Sequence, residues 1–223
     1  MTPELLSALQ RARTEKRGVV LATNIPQGRH GGGDQFLLPD PTAPAALNEA
    51  GLQALRDDES RTVAIAGENW FLHVHNTPMR LVVVGAVHIA QALVPLAFAL
   101  GFEIIVVDPR RSFATAERFP NVTISHDWPD EALDALKPDA RTAIVTLTHD
   151  PKLDDPALDR ALRSAAFYVG ALGSRRTHAA RLGRLREMGH DDASTARIHG
   201  PVGLDIGAVT APEIALSILA QIV

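Results

Sequence analysis

The chain has 223 residues, 46% of them apolar, which is enough to bury a sizeable core in one large domain or in a medium domain with a small one. A net charge of -4 and only 4% aromatic residues exclude a bulk electrostatic footprint for nucleic acid or anionic lipid and a platform for stacking exposed bases. No cysteine is present, so disulfides, thiolate metal ligands and a cysteine nucleophile are excluded together.

Residues 1–20 mix charge with leucine and lack the apolar segment of a secretory signal, and no apolar run approaches a membrane span. The expectation is a cytoplasmic soluble protein that binds neither nucleic acid nor membrane.

In chain order, the pattern predicts a helix over "PELLSALQRAR", a strand at "GVVLAT", a Gly-rich loop "GRHGGG" and a helix near 45–56, then strands at "RTVAIA" and "WFLHVH". "HNTPM" (75–79) carries the Asn and Pro of a connector, so the chain divides into residues 1–79 and 80–223. The first part is too short to trust as an independent core and is expected to pack on the second or on a partner.

From Arg80 onward, short β-branched runs alternate with helical patterns, the mark of βαβ units and a parallel sheet. Strands are predicted at 80–85, 103–108, 122–125, 142–148 and 167–172, with helices near 88–100, 129–136, 155–164 and 174–188. Thr210 and Glu213 stand at capping-box spacing and start a C-terminal helix. The fold class is therefore α/β, a Rossmann-like doubly wound parallel sheet with a smaller N-terminal α+β domain.

"RLVVVGAVHIAQAL" (80–93) opens like a dinucleotide-binding turn. Gly85 supplies the tight turn, Ala90 serves the close-packing position, and Asp108 ends the next strand where a ribose-binding acid belongs. Val87 stands at the second glycine position, where its β-branched side chain resists close approach of a pyrophosphate. The segment reads either as a modified nucleotide turn, with Ala86, Val87 and His88 lining it, or as a strand-to-helix turn around a packed valine.

Nearly every predicted strand of this half ends in polar or glycine-rich sequence, and in such sheets ligands sit beyond the carboxyl ends of the strands. His88, His126, His149, His178 and His199 fall on that one edge, where imidazoles can ligate a metal or transfer protons; each alone reads as a loop residue with a backbone hydrogen bond, and none has zinc-motif spacing. "GALGSRRTHAARLGRLREMG" (170–189) places Gly173 at a strand exit, Ser174 at a helix cap and Arg175 and Arg176 in the first turn. The helix dipole disfavours positive charge there, so an anion would relieve it; the alternative is two arginines in solvent. Leu182, Leu185 and Met188 mark the inward stripe of that helix. "THDPKLDDPAL" (148–158) adds His149, Asp150 and Lys152 beside the first strand, with Asp150–Pro151 also readable as a helix start. "HGPVGLDIGA" (199–208) is a rigid loop with one buried-looking acid, Asp205, that either closes over a ligand or links strand to helix.

"VVVGAVHIAQALVPLAFALGFEIIVVDPR", "FATAERFP", "LTHDPKLDDPAL", "FYVGALGSRRTHAARLGRLREMG" and "RIHGPVGLDIGAVTAPEIALSILAQI" together resemble the C-terminal Rossmann domain of the XdhC/CoxI family, the xanthine dehydrogenase accessory factors. The resemblance covers most of residues 80–223. It implies a maturation factor that binds molybdenum cofactor, assists its sulfuration and hands it to a molybdenum hydroxylase client, commonly as a homodimer or beside a second XdhC/CoxI-type subunit. The usual family turn is "GAGH", from which Val87 departs. The N-terminal part resembles the family only at "GVVLATNIPQG"; "GRHGGGDQFLL" replaces its usual Gly-rich segment.

By charge, the molybdopterin phosphate or its dinucleotide form suits Arg175 and Arg176. Gly85, Ala86, Val87, His88, Asp108, Arg110, His149, Asp150, Gly173, Ser174, Arg175, Arg176 and Asp205 are the candidate cofactor-binding residues, with no catalytic residue and no metal ligand. The rival is an NAD(P)-dependent oxidoreductase, with Asp108 on the ribose, Arg110 and Arg111 on a 2′-phosphate and Lys152 or His149 as proton donor. A third reading is a non-catalytic partner subunit with a vestigial crevice.

Overall fold

The computed structural model describes residues 2–15, 17–25 and 33–223, which form two compact units, Met1–Thr77 and Pro78–Val223. Most of the loop "GRHGGG" falls outside the described residues.

In the first unit α1 (Pro3–Thr14) precedes β1 (Val19–Asn24) and β2 (Gln35–Leu38); α2 (Ala45–Asp57) then leads into β3 (Arg61–Ile65) and β4 (Glu68–His75). The strands pair antiparallel in the order β2-β1-β4-β3. Val20, Ala22, Leu38, Leu47, Ala54, Trp70 and Leu72 bury together between this sheet and α2. The expectation that this part lacks a core of its own is thereby corrected: alternation along β1 and β4 gives the sheet one apolar face, and a single amphipathic helix suffices to cover it. β2 is an addition to the expected elements, because "QFLL" is too short to show a period.

The second unit runs β5 (Arg80–Val84), α3 (His88–Ala99), β6 (Glu103–Val107), β7 (Thr123–Ser125), α4 (Pro129–Leu136), β8 (Thr142–Thr146), α5 (Pro151–Arg163), β9 (Tyr168–Ala171) and α6 (Arg175–Glu187). A short α7 (Asp192–Thr195), β10 (Ile198–His199) and α8 (Ala211–Ile222) complete it. The six strands are all parallel, ordered β10-β9-β8-β5-β6-β7. This is the doubly wound order, with the reversal between β5 and β8.

Both faces of the sheet are covered, so the central strands read as continuous apolar runs. Leu81, Val83, Val106 and Val145 pack toward α3 and α8, while Val82, Val84, Ile144 and Val169 pack with residues of α4, α5 and α6. α5 begins at Pro151, four residues earlier than expected, because Asp150 caps it and Pro at the first helical position needs no N–H partner. Met188 lies past the end of α6 and is 41% exposed, so the stripe expected from Leu182 and Leu185 ends before it. Among the described residues no helix is long and apolar enough to cross a membrane.

Candidate functional site

Parallel pairing sends all six strand ends of the second unit to one edge. Gly85–His88, Asp108–Arg110, His126, Thr148–Asp150 and Gly173–Arg176 lie at the exits of β5, β6, β7, β8 and β9, and His199 is the last residue of β10. Gly85 (φ 107) lies against the β8 exit so closely that a Cβ on it would stand 2.5 Å from Thr148 Cγ2. At this point the glycine is required, both by the left-handed backbone and by the close approach.

The dinucleotide turn is closed from within. Gly85 N donates to Val107 O (2.9 Å), Ala86 N to Asp108 Oδ2 (2.8 Å) and Val87 N to Gly85 O (2.9 Å), so the three amides of the turn already have acceptors. Asp108 has no exposed surface, and its other oxygen accepts from Arg110 N and Nε at 3.0 and 2.9 Å, with Arg110 Nη2 on Oδ2 at 2.8 Å. Burial pushes the Asp108 carboxyl up, but the Arg110 guanidinium and the Ala86 and Arg110 amides together hold it below the usual carboxylate range. Ala86 is likewise fully buried. Ala86 and Asp108, both candidate binding residues, are buried, and the amide of one is bound to the carboxylate of the other. Arg110 commits its fork to Asp108 and lies over the Phe113 ring at 4.3 Å. Val87 is the N-cap of α3 and makes no side-chain cap bond.

His88, at the start of α3, is exposed; on the other side of the reversal point so are His149 and Asp150, and His149 is held at φ 63. Asp150 Oδ1 accepts from Lys152 N at 3.0 Å and so serves as the cap of α5. Ser174 caps α6 in the same way, accepting from Thr177 N at 3.1 Å. Arg175 and Arg176 then occupy the first turn of α6, exposed, with no acid in that turn and no ion pair among the described residues.

Gly173 and Arg175 line a cavity of about 440 Å³ together with Leu172, Val202 and the loop Gly203–Ala208, which carries Asp205. Asp205 is exposed, not buried as expected: the glycines at 203 and 207, both with positive φ, turn the chain outward around it. This loop is anchored beneath by Gln221 Oε1, which accepts from Gly203 N (2.9 Å) and Tyr168 Oη (2.6 Å). His199 stacks on Tyr168 with ring centroids 4.6 Å apart. The histidines of the rim do not converge: no group of three His, Asp or Glu able to hold a metal exists among the described residues.

A buried ion pair that the sequence pattern does not announce ties these loops together. Arg181 is 2% exposed and Asp154 1%, with Nη2 3.3 Å from Asp154 Oδ2 and donating to Leu172 O at 2.9 Å. Asp154 Oδ1 accepts from Thr148 Oγ1 at 2.6 Å. The chain Gly85, Thr148, Asp154, Arg181, Leu172 thus links the exits of β5, β8 and β9. Burial raises the Asp154 carboxyl above its ordinary range, outweighing Thr148 and the Arg181 charge. The spacing of Thr177, Arg181 and Leu185 at i, i+4 and i+8 is the available signal, since it puts all three on one helix face.

Residues 81–222 match the family described as XdhC Rossmann domain. The chain belongs to that family. Among curated relatives, this XdhC-family chain is 40% identical over 157 residues to YqeB of Escherichia coli, a stretch covering 68% of this chain and 28% of YqeB. It is 34% identical over 144 residues to the E. coli molybdenum cofactor insertion chaperone PaoD, covering 65% of this chain and 39% of PaoD. It is 31% identical over 156 residues to a probable xanthine dehydrogenase subunit of Bacillus subtilis, covering 70% of this chain and 45% of that protein. The chain therefore spans less than half the length of each of these relatives. A crystal structure described as a xanthine dehydrogenase from Bacillus halodurans shares the fold with a TM-score of 0.73 at 22% identity, over 98% of this chain and 62% of that one.

Proposed function

We propose that this XdhC-family chain is an accessory factor for a molybdenum hydroxylase: it binds molybdenum cofactor at the strand-end rim and passes it to the client without turnover. The relatives' names support the accessory role, in particular a molybdenum cofactor insertion chaperone that is 34% identical. The observation that carries the binding reading is the contrast along the rim. The amides of Gly85, Ala86 and Val87 in the dinucleotide turn are bound within the protein, whereas the first turn of α6 carries Arg175 on a cavity wall, Arg176 next to it, and no acid to neutralise them.

A pterin phosphate, or the dinucleotide form of the cofactor, is an anion of the kind such a turn accepts. Uncompensated donors on the buried Arg181 fit an anionic guest at this locus. When bound, the cofactor supplies redox chemistry to the client. This chain's own residues hold and orient it: Arg175 and Arg176 at the phosphate, with the Gly203–Ala208 loop as a wall. No cysteine stands in these 223 residues, so sulfur for a sulfuration step comes from outside this stretch of chain. The chain acts as a homodimer or beside a second XdhC/CoxI-type subunit.

The NAD(P)-oxidoreductase reading loses its anchors, because Asp108 and Arg110 are bound to each other and Ala86 N is taken. The test is anaerobic purification from a host making molybdenum cofactor, followed by molybdenum and pterin analysis. Stoichiometric pterin supports the proposal; a cofactor-free protein that responds to NAD(P)H overturns it.

A further inference from the structure

Arg175 and Arg176 occupy the first two helical positions of α6, where backbone N–H groups have no intrahelical acceptor; Ser174 Oγ is already taken by Thr177 N, the next in line. Behind these open amides Gly173 packs closely on the first turn of the helix. A Cβ built there would stand 3.3 Å from Thr177 Cβ and Cγ2 and 3.8 Å from Arg181 Nη1. Arg181 is only 2% exposed, and its Nη1 and Nε have no hydrogen-bond partner. Its one carboxylate neighbour, Asp154, is 3.3 Å from Nη2, which also serves Leu172 O.

A buried guanidinium with two idle nitrogens is costly unless something completes it. The idle side faces Gly173, whose lack of a side chain leaves Nη1 3.8 Å from the place a Cβ would take. Two open amides and one buried guanidinium therefore flank Gly173, and the same helical turn carries two exposed arginines.

We infer that the Gly173–Arg176 turn and the buried Arg181 form an oxyanion site for a phosphate monoester, with Arg181 as its cationic floor. The inference rests on reading this rim as a ligand site, and it names the group recognised there. A dianionic phosphate oxygen seated over Gly173 receives the Arg175 and Arg176 amides, lies in the field of Arg181, and relieves the repulsion between the helix dipole and the two exposed arginines. The same chemistry serves a pterin phosphate and a nucleotide phosphate.

The test uses the full chain and follows backbone amide resonances while inorganic phosphate is added at constant ionic strength. The Arg175 and Arg176 signals should move saturably. Two variants remove the floor or block the approach to it: Arg181→Met with Asp154→Leu, which replaces the pair by apolar side chains and leaves no orphan charge, and Gly173→Ala, which keeps every charge and sets a methyl against Thr177 and Arg181 at a backbone φ of 147 that an L side chain strains. In each, phosphate should bind about tenfold or more weakly, the loss expected for one charge-assisted contact. Circular dichroism establishes that each variant is folded, and if the double variant is not, Gly173→Ala decides.

No saturable shift in the native chain, or a folded variant that titrates like it, overturns the inference. Adenosine 5′-monophosphate is the second probe: tighter binding than phosphate upholds the site with a nucleotide source, and equal binding upholds it with the phosphate alone recognised. Phosphate shifts in a chain that never retains pterin would sink the cofactor reading and leave this site standing. Retained pterin without phosphate shifts would do the reverse.

Discussion

Replacing Arg181 with methionine should be the most damaging single change on the rim. The side chain is 2% exposed and its partner Asp154 is 1% exposed, so the substitution leaves a buried carboxylate satisfied by Thr148 alone, through its Oγ1 at 2.6 Å and its backbone amide. Breaking a buried pair from one side costs about 3–5 kcal/mol. The lower end applies here, because burial already raises the Asp154 pKa and the group can escape part of the cost by taking up a proton and donating to Thr148.

For a unit of this size about 3 kcal/mol corresponds to roughly 6–12 °C in melting temperature. The proton uptake gives a signature that simple loss of packing lacks. In the variant the folded-state pKa of Asp154 is raised further above its unfolded value. Its stability is then fullest below about pH 4 and falls as pH rises through the folded pKa. Urea unfolding at pH 5 and pH 7.5 should therefore show the deficit of Arg181→Met widening at the higher pH, and Asp154→Leu in the same chain should recover most of it. A single variant costing under about 1 kcal/mol at both pH values, or a double variant less stable than the single, would refute the reasoning.

Val87→Gly restores the glycine that the turn lacks, yet it should not confer NAD(H) binding, because Ala86 N remains bound to Asp108; a fluorescence titration showing micromolar affinity would contradict this. The pKa values of His75 and His178 are lowered, first by burial, then by His73 and Arg13 around His75 and by Arg181 beside His178. The unfolded chain therefore binds protons that the folded one refuses, so stability should fall as pH drops below about 6.5. His75→Phe should flatten that slope, as read by denaturation at pH 7.5 and 5.5. Gln221→Leu removes the acceptor shared by Gly203 N and Tyr168 Oη and should cost about 2 kcal/mol. It should also raise hydrogen exchange in the 203–208 loop; unchanged exchange there would mean the loop is held by other contacts.

What can be read from the sequence is what repeats along it. The β-branched runs at Arg80–Val84, Glu103–Val107 and Thr142–Thr146, separated by helical patterns, carry the parallel sheet, and parallel pairing then gathers the strand exits by topology alone. Local chemistry is also legible: Ser174, Asp150 and Thr210 cap the helices they precede. Asp108 stands at the end of β6 as its position suggests, but its partner is a different one. Its bond to Ala86 N depends on the backbone of a turn 22 residues away, which no local pattern encodes. Arg181 escapes a sequence reading for a related reason. Its charge argues for solvent, and only Asp154, on a different helix, makes its burial tolerable. The two-residue β10 and four-residue α7 are too short to leave a period.

The central claim is that the first turn of α6, not the glycine turn after β5, holds the anionic guest. The direct measurement is pterin content after anaerobic purification of the native chain, of Arg175→Ala with Arg176→Ala, and of Val87→Gly. Both arginines are exposed and unpaired among the described residues, so their loss should leave the melting temperature nearly unchanged. The account predicts pterin in the native and Val87→Gly chains and its loss from the arginine variant. Pterin retained by a folded arginine variant, at the native level, would contradict it.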